Sequence, residues 1–570
     1  MNWYKFSSVP GPILAGASDL WRAYHQYRGQ LRTKLLALHK SHGTIVRYGV
    51  NDISISDPSA ISVIYGSRAG FITADSYKVL IGISNGKEVA SLVSTADEAK
   101  HGALRRSVAK AFTPAGVLDY ETYIDETIPH LLEALGRHWT VDLSEMMLLY
   151  SMDSATRVSF GESLGCLESE SDVGGTIRLI RERFNHWGWW SSVPGLERLV
   201  YRNPYSMRVK RAPSSMAAKA VALLKSRASG AVDASQRDLL QRFMLASHDS
   251  PETLDMTGVV GLLMSTISGA GDTTATTMTA WLYNLMKNPT VMRKLISEIE
   301  AANLSIPPSF SKVNKLPYLN AVLKESMRIY PTPTFPMERK VPSGGVTIAG
   351  MFFPEGTTVG CMPSAIHMNP SVFGNDAEVF RPERWLEADE DTLRSMEAAH
   401  LGFSRGRRAC LGQHIAIMQM KKVISSLLMT FDLRLVDQDA SLEADFSPAV
   451  ACLKPFLQHQ AIMCFGSRSL RGPAESPPAR TYPIDNGAGS DDLTSTNDNY
   501  DMKSNGSSKK ESGESLGLDL FARRQKRLKE AYPDGNIPEG MQRLHESGMV
   551  QGNLGGPLGG GAGMAMSGAF

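Results

Sequence analysis

A large, mainly helical domain edged by small β-sheets is the fold class this sequence predicts, and three observations predict it. Residues from about 97 to 330 carry a mostly helical pattern of apolar positions. Two segments read as well-bounded helices, 253–287, which stops before Pro289, and one from about Pro317, which stops before Pro331. Short stretches with the period of strands, punctuated by Pro and Gly, lie outside that region at 44–56 and 346–359.

In chain order, 44–48 and 53–56 read as short strands joined by the turn Gly49-Val50-Asn51-Asp52. Pro58 then opens a helix, since proline is tolerated in a first helical turn. The apolar run 259–270 within the long helix is too short for a bilayer, which needs about 20 apolar residues. It also carries Ser265, Thr266 and Ser268, so a buried helix is the expectation. The helix from Pro317 places Leu319, Val322, Leu323 and Met327 on one face. Strand signals follow at 346–348, 352–353 and 357–359, and a last helix over 415–429.

Of the 570 residues, 42% are hydrophobic and 21% charged, ordinary for a globular protein. The net charge of +2 points neither to nucleic acid nor to a strongly acidic partner. The cysteines Cys166, Cys361, Cys410, Cys452 and Cys464 are odd in number and widely spaced, with no CxxC. That argues against a disulfide scaffold and a structural zinc site, and for a reduced, cytosol-facing compartment. The start of the chain is broken by Pro10, Gly11 and Pro12 and has no signal-peptide core. From Ser467 the composition turns to Gly, Ser, Asp, Asn and Pro, so 1–466 is expected to fold and 467–570 to be disordered. Within that tail, 516–532 with its basic stretch 523–529 has the pattern of a short amphipathic helix.

The stretch Phe403-Ser404-Arg405-Gly406-Arg407-Arg408-Ala409-Cys410-Leu411-Gly412 places one cysteine between glycines, beside three arginines, just before a helix. Positive charge and a helix N-terminus favour thiolate over thiol. Gly406 allows a tight turn, and Gly412 permits close approach to a flat cofactor. A structural cysteine in a basic loop is the plain alternative. The spacing Phe-x-x-Gly-x-Arg-x-Cys-x-Gly resembles the haem-binding loop of the cytochrome P450 family at every fixed position. By that resemblance Cys410 is the axial ligand of haem iron, Arg408 pairs a haem propionate and Phe403 packs near the sulfur.

Three further segments resemble the same family. Glu325 and Arg328 share one helix face, and with Arg384 of Phe380-Arg381-Pro382-Glu383-Arg384-Trp385 they match a buried ionic triad of structural role. Gly269-Ala270-Gly271-Asp272-Thr273-Thr274 places costly glycines inside the long helix. They offer either room for a ligand or a helix-packing patch. The segment resembles the oxygen-activation motif, with Ala270 where glycine is usual, and implies that Asp272 and Thr273 hold water and relay protons. His101 and Arg105, in His101-Gly102-Ala103-Leu104-Arg105, and Arg339 match the family's propionate-binding positions.

The resemblance spans about residues 10 to 465 and implies haem lying between the long oxygen-activation helix and the helix that follows the cysteine loop. It implies a monooxygenase that uses O2 and electrons from an NADPH-cytochrome P450 reductase. The implied substrate is a lipophilic small molecule, with a terpenoid, polyketide or alkaloid of secondary metabolism in view. Endoplasmic-reticulum association through membrane contact is part of the same expectation. Arg405, Arg407, Lys421 and Lys422 are a candidate face for the reductase. Residues 77–83, 184–190, 264–268, 332–335 and 449–451 are the candidate pocket walls, with Trp187, Trp189 and Trp190 expected in core or membrane-facing surface before ligand contact. The alternatives are an isomerase or dehydratase of the same fold that does not use O2, and a non-catalytic haem binder.

Overall fold

Asp255 decides where the longest helix begins, because its carboxylate accepts the Gly258 N–H at 2.7 Å and satisfies an otherwise unpaired helix-end donor. That helix is three residues shorter at its start than its apolar pattern suggests. In a computed structural model the chain is described at residues 6, 8–84, 86–209, 213–229, 236–437, 439 and 442, together with the backbone of 461–464. The tail expected to be disordered, 467–570, and the pocket segment 449–451 lie outside these residues.

The helices that position the site are α1 (Ile13–Ala17), α2 (Leu20–Tyr27), α3 (Glu98–Val108), α4 (Glu121–Gly136), α5 (Leu143–Phe160), α6 (Thr176–Trp190), α7 (Pro194–Tyr201), α8 (Pro204–Arg208), α9 (Met256–Lys287), α10 (Pro317–Ile329) and α11 (Gln413–Thr430). Several starts have a local cause. Asp97 and Asp142 cap α3 and α5, and proline stands in the first turn of α7, α8 and α10. Gly161, at φ 82°, ends α5 in the left-handed conformation that glycine adopts without a Cβ penalty.

α5 is buried nearly all round because it is packed between α4 and the long α9. Its sequence is largely apolar or small, as such a position requires. Trp281 of α9 is fully buried in this main core, which α10 and α11 also enter.

A second core lies under a five-stranded sheet: β1 (Ile45–Arg47), β2 (Asp52–Ile55), β3 (Ile72–Thr73), β4 (Arg339–Lys340) and β5 (Thr358–Cys361), in the order β1-β2-β5-β4-β3. β2 and β5 run parallel with Ile53 beside Val359, and the other neighbours are antiparallel. Thr73 and Val359 both pair with Arg339, so the sheet carries that arginine between two strands. The strand and helix signals at 44–56 and 357–359 and in the final helix coincide with β1, β2, β5 and α11 within two residues. β3 and β4, two residues each, are too short to show a period. Among the described residues no helix is long and apolar enough to cross a membrane.

Replacing Trp281 with Ala removes a large side chain from the junction of α9 with the main core. We expect a loss of about 3–5 kcal/mol, read as a lower urea-unfolding midpoint. An unchanged midpoint would show that α9 is not anchored there.

Candidate functional site

The loop before α11 is held by its own backbone. The Cys410 N–H donates to the Phe403 carbonyl at 2.9 Å, and the Ala409 N–H donates to Gly406 at 3.1 Å. From α3, Arg105 Nη1 donates to the Ala409 carbonyl at 2.8 Å, which fixes the residue next to the cysteine. Gly406 stands at φ 70°, and a Cβ there would lie 1.8 Å from the Tyr65 carbonyl oxygen, so only glycine fits. Gly412 is different: its φ is −81°, and a Cβ would meet nothing within 4 Å. Cys410 is exposed, and Phe403 is half-buried against the main core.

The chemistry of the sulfur corrects one expectation. The protein packed around Cys410 pushes its thiol up, while the Gly412 N–H, the Arg105 guanidinium and the Gln413 N–H pull it down. Arg408 is not among these groups. It turns to Glu98 at 2.7 Å and to the carbonyls of Leu92 and Thr95 at 3.1 and 2.8 Å. The helix-end N–H groups and Arg105 thus favour the thiolate against burial, and the flanking Arg408 acts elsewhere.

Arg408, Arg105, Arg339 and His101 form one electrostatic cluster. Burial and then the Arg408 guanidinium push the His101 imidazole down to about 4, with Arg105 and Arg339 adding to this and Glu98 opposing. Arg339 is buried; its Nη1 donates to the Glu338 carbonyl at 2.8 Å and its guanidinium lies 5.3 Å from the centre of the Tyr65 ring. Arg408 pairs with Glu98, whereas the bonds described for Arg105 and Arg339 go to the carbonyls of Ala409 and Glu338. The nearby Glu338 is taken up by Arg22, Tyr48 and Ser76. Such a cluster of positive charge, with Arg339 buried and Arg105 and Arg408 half-buried, fits a ligand with two carboxylates.

On α9 the two glycines of the motif, Gly269 and Gly271, answer to different causes. A Cβ on Gly271 would lie 2.3 Å from Met152 Sδ on α5, so that glycine serves helix packing. A Cβ on Gly269 would meet nothing within 4 Å, so that one faces open space. Thr273 Oγ1 donates to the Gly269 carbonyl at 2.6 Å, one turn back. Thr277 Oγ1 donates to the Thr273 carbonyl at 2.9 Å and lies 3.0 Å from Thr332 Oγ1. Asp272 is buried.

Away from this cluster, Glu325 receives Arg328 through two bonds of 2.8 Å and Arg384 Nε at 3.0 Å, with all three side chains buried. Its oxygens also accept Trp385 Nε1 and the Arg381 N–H, both at 2.9 Å. Arg328 Nη1 donates to the carbonyl of His367 at 2.7 Å, and the His367 ring returns a hydrogen bond to the Arg328 carbonyl at 3.0 Å. The added partners Trp385 and His367 were not foreseen. Trp385 follows Arg384 directly, and that adjacency was the available signal.

One other expectation changes. Lys421 and Lys422 are buried, the first bonded to Asn314 at 2.7 Å and the second to Glu121 and Asp125 at 2.5 and 2.8 Å. They sit on the inner face of α11 and are unavailable to a partner; Arg407 is exposed and Arg405 half-buried. The pocket segments 77–83, 184–190 and 332–335 do meet: Val79, Leu80, Trp187 and Phe335 form one apolar cluster joined by Tyr77 and Phe184. Trp189 stands at the surface.

Comparison with known proteins agrees with this geometry. The family model described as Cytochrome P450 matches residues 19–461. A cytochrome P450 monooxygenase of Aspergillus terreus is 31% identical over 449 residues, 76% of this chain and 91% of that protein. The cytochrome P450 monooxygenases pkfB of Emericella nidulans and mfmA of Annulohypoxylon moriforme are 31% and 30% identical over 78% and 77% of this chain and 89% of each relative. The chain belongs to the cytochrome P450 family. Within it, the protein is a cytochrome P450 monooxygenase.

The two glycines of the loop separate folding from cofactor binding. Gly406→Ala is expected to destabilise the chain with or without haem, through the clash with Tyr65. Gly412→Ala is expected to leave the haem-free unfolding free energy within about 0.5 kcal/mol and to lower the haem retained on purification. Equal haem content in Gly412→Ala and the parent protein would contradict the assignment of that open space to a cofactor.

Proposed function

We propose that this chain binds haem through Cys410 and uses O2, with electrons from an NADPH-cytochrome P450 reductase, to oxidise a lipophilic small molecule. A terpenoid, polyketide or alkaloid of fungal secondary metabolism is the substrate class in view. The observation that carries the reading is an exposed cysteine beside the open Gly412, near a cluster of His101, Arg105, Arg339 and Arg408 in which the carboxylate pairing described is that of Arg408 with Glu98.

Cys410 Sγ would hold the haem iron and would give up its thiol proton to do so. Arg105, Arg339, Arg408 and the neutral His101 take the two propionates. Bound haem supplies the redox chemistry that activates O2. The residues of α9 then handle protons. The Thr273 hydroxyl hydrogen is held by the Gly269 carbonyl, which leaves its oxygen free to accept a hydrogen bond from water on the open side of the helix. Asp272, buried on the same turn, is the proton source that water connects to. The buried triad Glu325, Arg328 and Arg384 supports the site without touching it.

The apolar cluster of Val79, Leu80, Trp187 and Phe335 favours a lipophilic substrate. Arg405 and Arg407, without the two lysines, are left as the docking face for the reductase. Contact with a membrane surface such as the endoplasmic reticulum is supported by exposed apolar side chains, among them Ile13, Leu14, Leu20, Tyr27, Leu199 and Tyr205. They stand on elements that pack in series: α1 on α2, α2 on α6, α6 on α7 and α7 on α8, with Tyr27 and Trp189 rings 5.5 Å apart.

The test is to incubate the haem-loaded protein and a reductase with isotopically labelled O2, NADPH and a panel of lipophilic metabolites. Product carrying one labelled oxygen is expected. Thr273→Ala should keep consuming NADPH while product per NADPH falls about tenfold. Unlabelled product formed without NADPH would instead favour an isomerase or dehydratase, and unchanged coupling in the variant would remove Thr273 from proton handling.

A further inference from the structure

Glu338 is 1% exposed, and its carboxylate is the meeting point of three separate elements. Oε1 accepts the Tyr48 hydroxyl at 2.6 Å, from the end of β1. Arg22 of α2 reaches the same oxygen at 2.5 Å, and its other Nη bonds Asp52 at 2.9 Å. Oε2 accepts the Ser76 hydroxyl. A buried carboxylate with this many charge-assisted and neutral donors is held in one geometry, because losing any donor leaves a desolvated lone pair unmet.

Ser76 is where this network touches the pocket. Its carbonyl oxygen accepts Trp187 Nε1 at 3.0 Å. The Trp187 ring lies 5.2 Å from Phe335 and 5.6 Å from Tyr77. Val79 and Leu80, three and four residues beyond Ser76, complete the apolar cluster. The tryptophan is therefore oriented by a backbone carbonyl, and that carbonyl is placed by a side chain tied to Glu338. None of these bonds reaches the cysteine loop or the motif on α9.

We propose that Glu338 is a positioning residue for substrate binding: acting through Ser76, it fixes the carbonyl that orients Trp187 in the pocket wall. The proposal rests on the reading of this apolar cluster as the substrate pocket. Trp187 then sets the shape available to a bulky ligand, while a ligand small enough to ignore that wall is unaffected.

The test uses the haem-loaded protein and two spectral probes, imidazole, which reports the iron alone, and clotrimazole, a bulky lipophilic azole that must also fill the pocket. Ser76→Ala is expected to bind clotrimazole about fivefold more weakly while imidazole affinity changes less than about twofold. Trp187→Phe removes the indole donor, so adding Ser76→Ala to it should produce no further weakening. Glu338→Gln should show the same selectivity as Ser76→Ala; should it fail to fold, the Ser76 and Trp187 pair carries the test alone. Unchanged clotrimazole affinity in Ser76→Ala, equal weakening of both probes, or additive effects of the two substitutions would overturn the proposal. A parent protein that binds neither haem nor imidazole would overturn the proposed function itself, and this proposal with it.

Discussion

The passage of Gly406 against the Tyr65 carbonyl is the constraint on which the rest of the site depends. The loop can turn there because no side chain is present, and the turn lets the Cys410 N–H reach the Phe403 carbonyl and the Ala409 carbonyl meet Arg105. The Cα of Cys410 is thereby held at the start of α11 by the backbone. Tyr65 in turn is fixed on the other side, its hydroxyl donating to the Met337 carbonyl at 2.8 Å and accepting the Cys361 N–H at 2.9 Å. The cysteine loop and the five-stranded sheet are thus joined through one tyrosine, and the same sheet carries Arg339.

Charge is distributed along the same lines. The buried carboxylate Glu325 is saturated by Arg328, Arg384, Trp385 and a backbone N–H, so that set is closed and structural. Glu338 is likewise closed by Arg22, Tyr48 and Ser76. The cluster of Arg105, Arg339 and Arg408 is the open one, with Glu98 its single acidic member. A protein that balances two buried carboxylates so fully, and whose Arg105 and Arg339 are described bonding backbone carbonyls, has left room for negative charge from outside the chain.

The fold class and the strongest elements were legible in the sequence because their signals are local. The Pro and Gly around β1 and β2 and the single-faced pattern of α10 each sit within a few residues of what they determine. The site was legible as a set of spaced residues, but its internal logic was not. Nothing near Arg408 in the chain announces Glu98, which is 310 residues away and draws the guanidinium off the sulfur. Lys421 and Lys422 looked like surface charge until α4 supplied Glu121 and Asp125 and the loop before α10 supplied Asn314. The two motif glycines of α9 could be assigned to packing and to open space only once Met152 was seen beside one of them. Glu338 escaped notice because all three of its side-chain donors are distant in sequence.

The most direct test of the central claim is the absorption spectrum of the purified, reduced protein under carbon monoxide. The parent protein should show the red-shifted band of a thiolate-ligated haem, and Cys410→Ala should lose it. A parent protein that contains no haem, or a variant whose band is unchanged, would contradict the account.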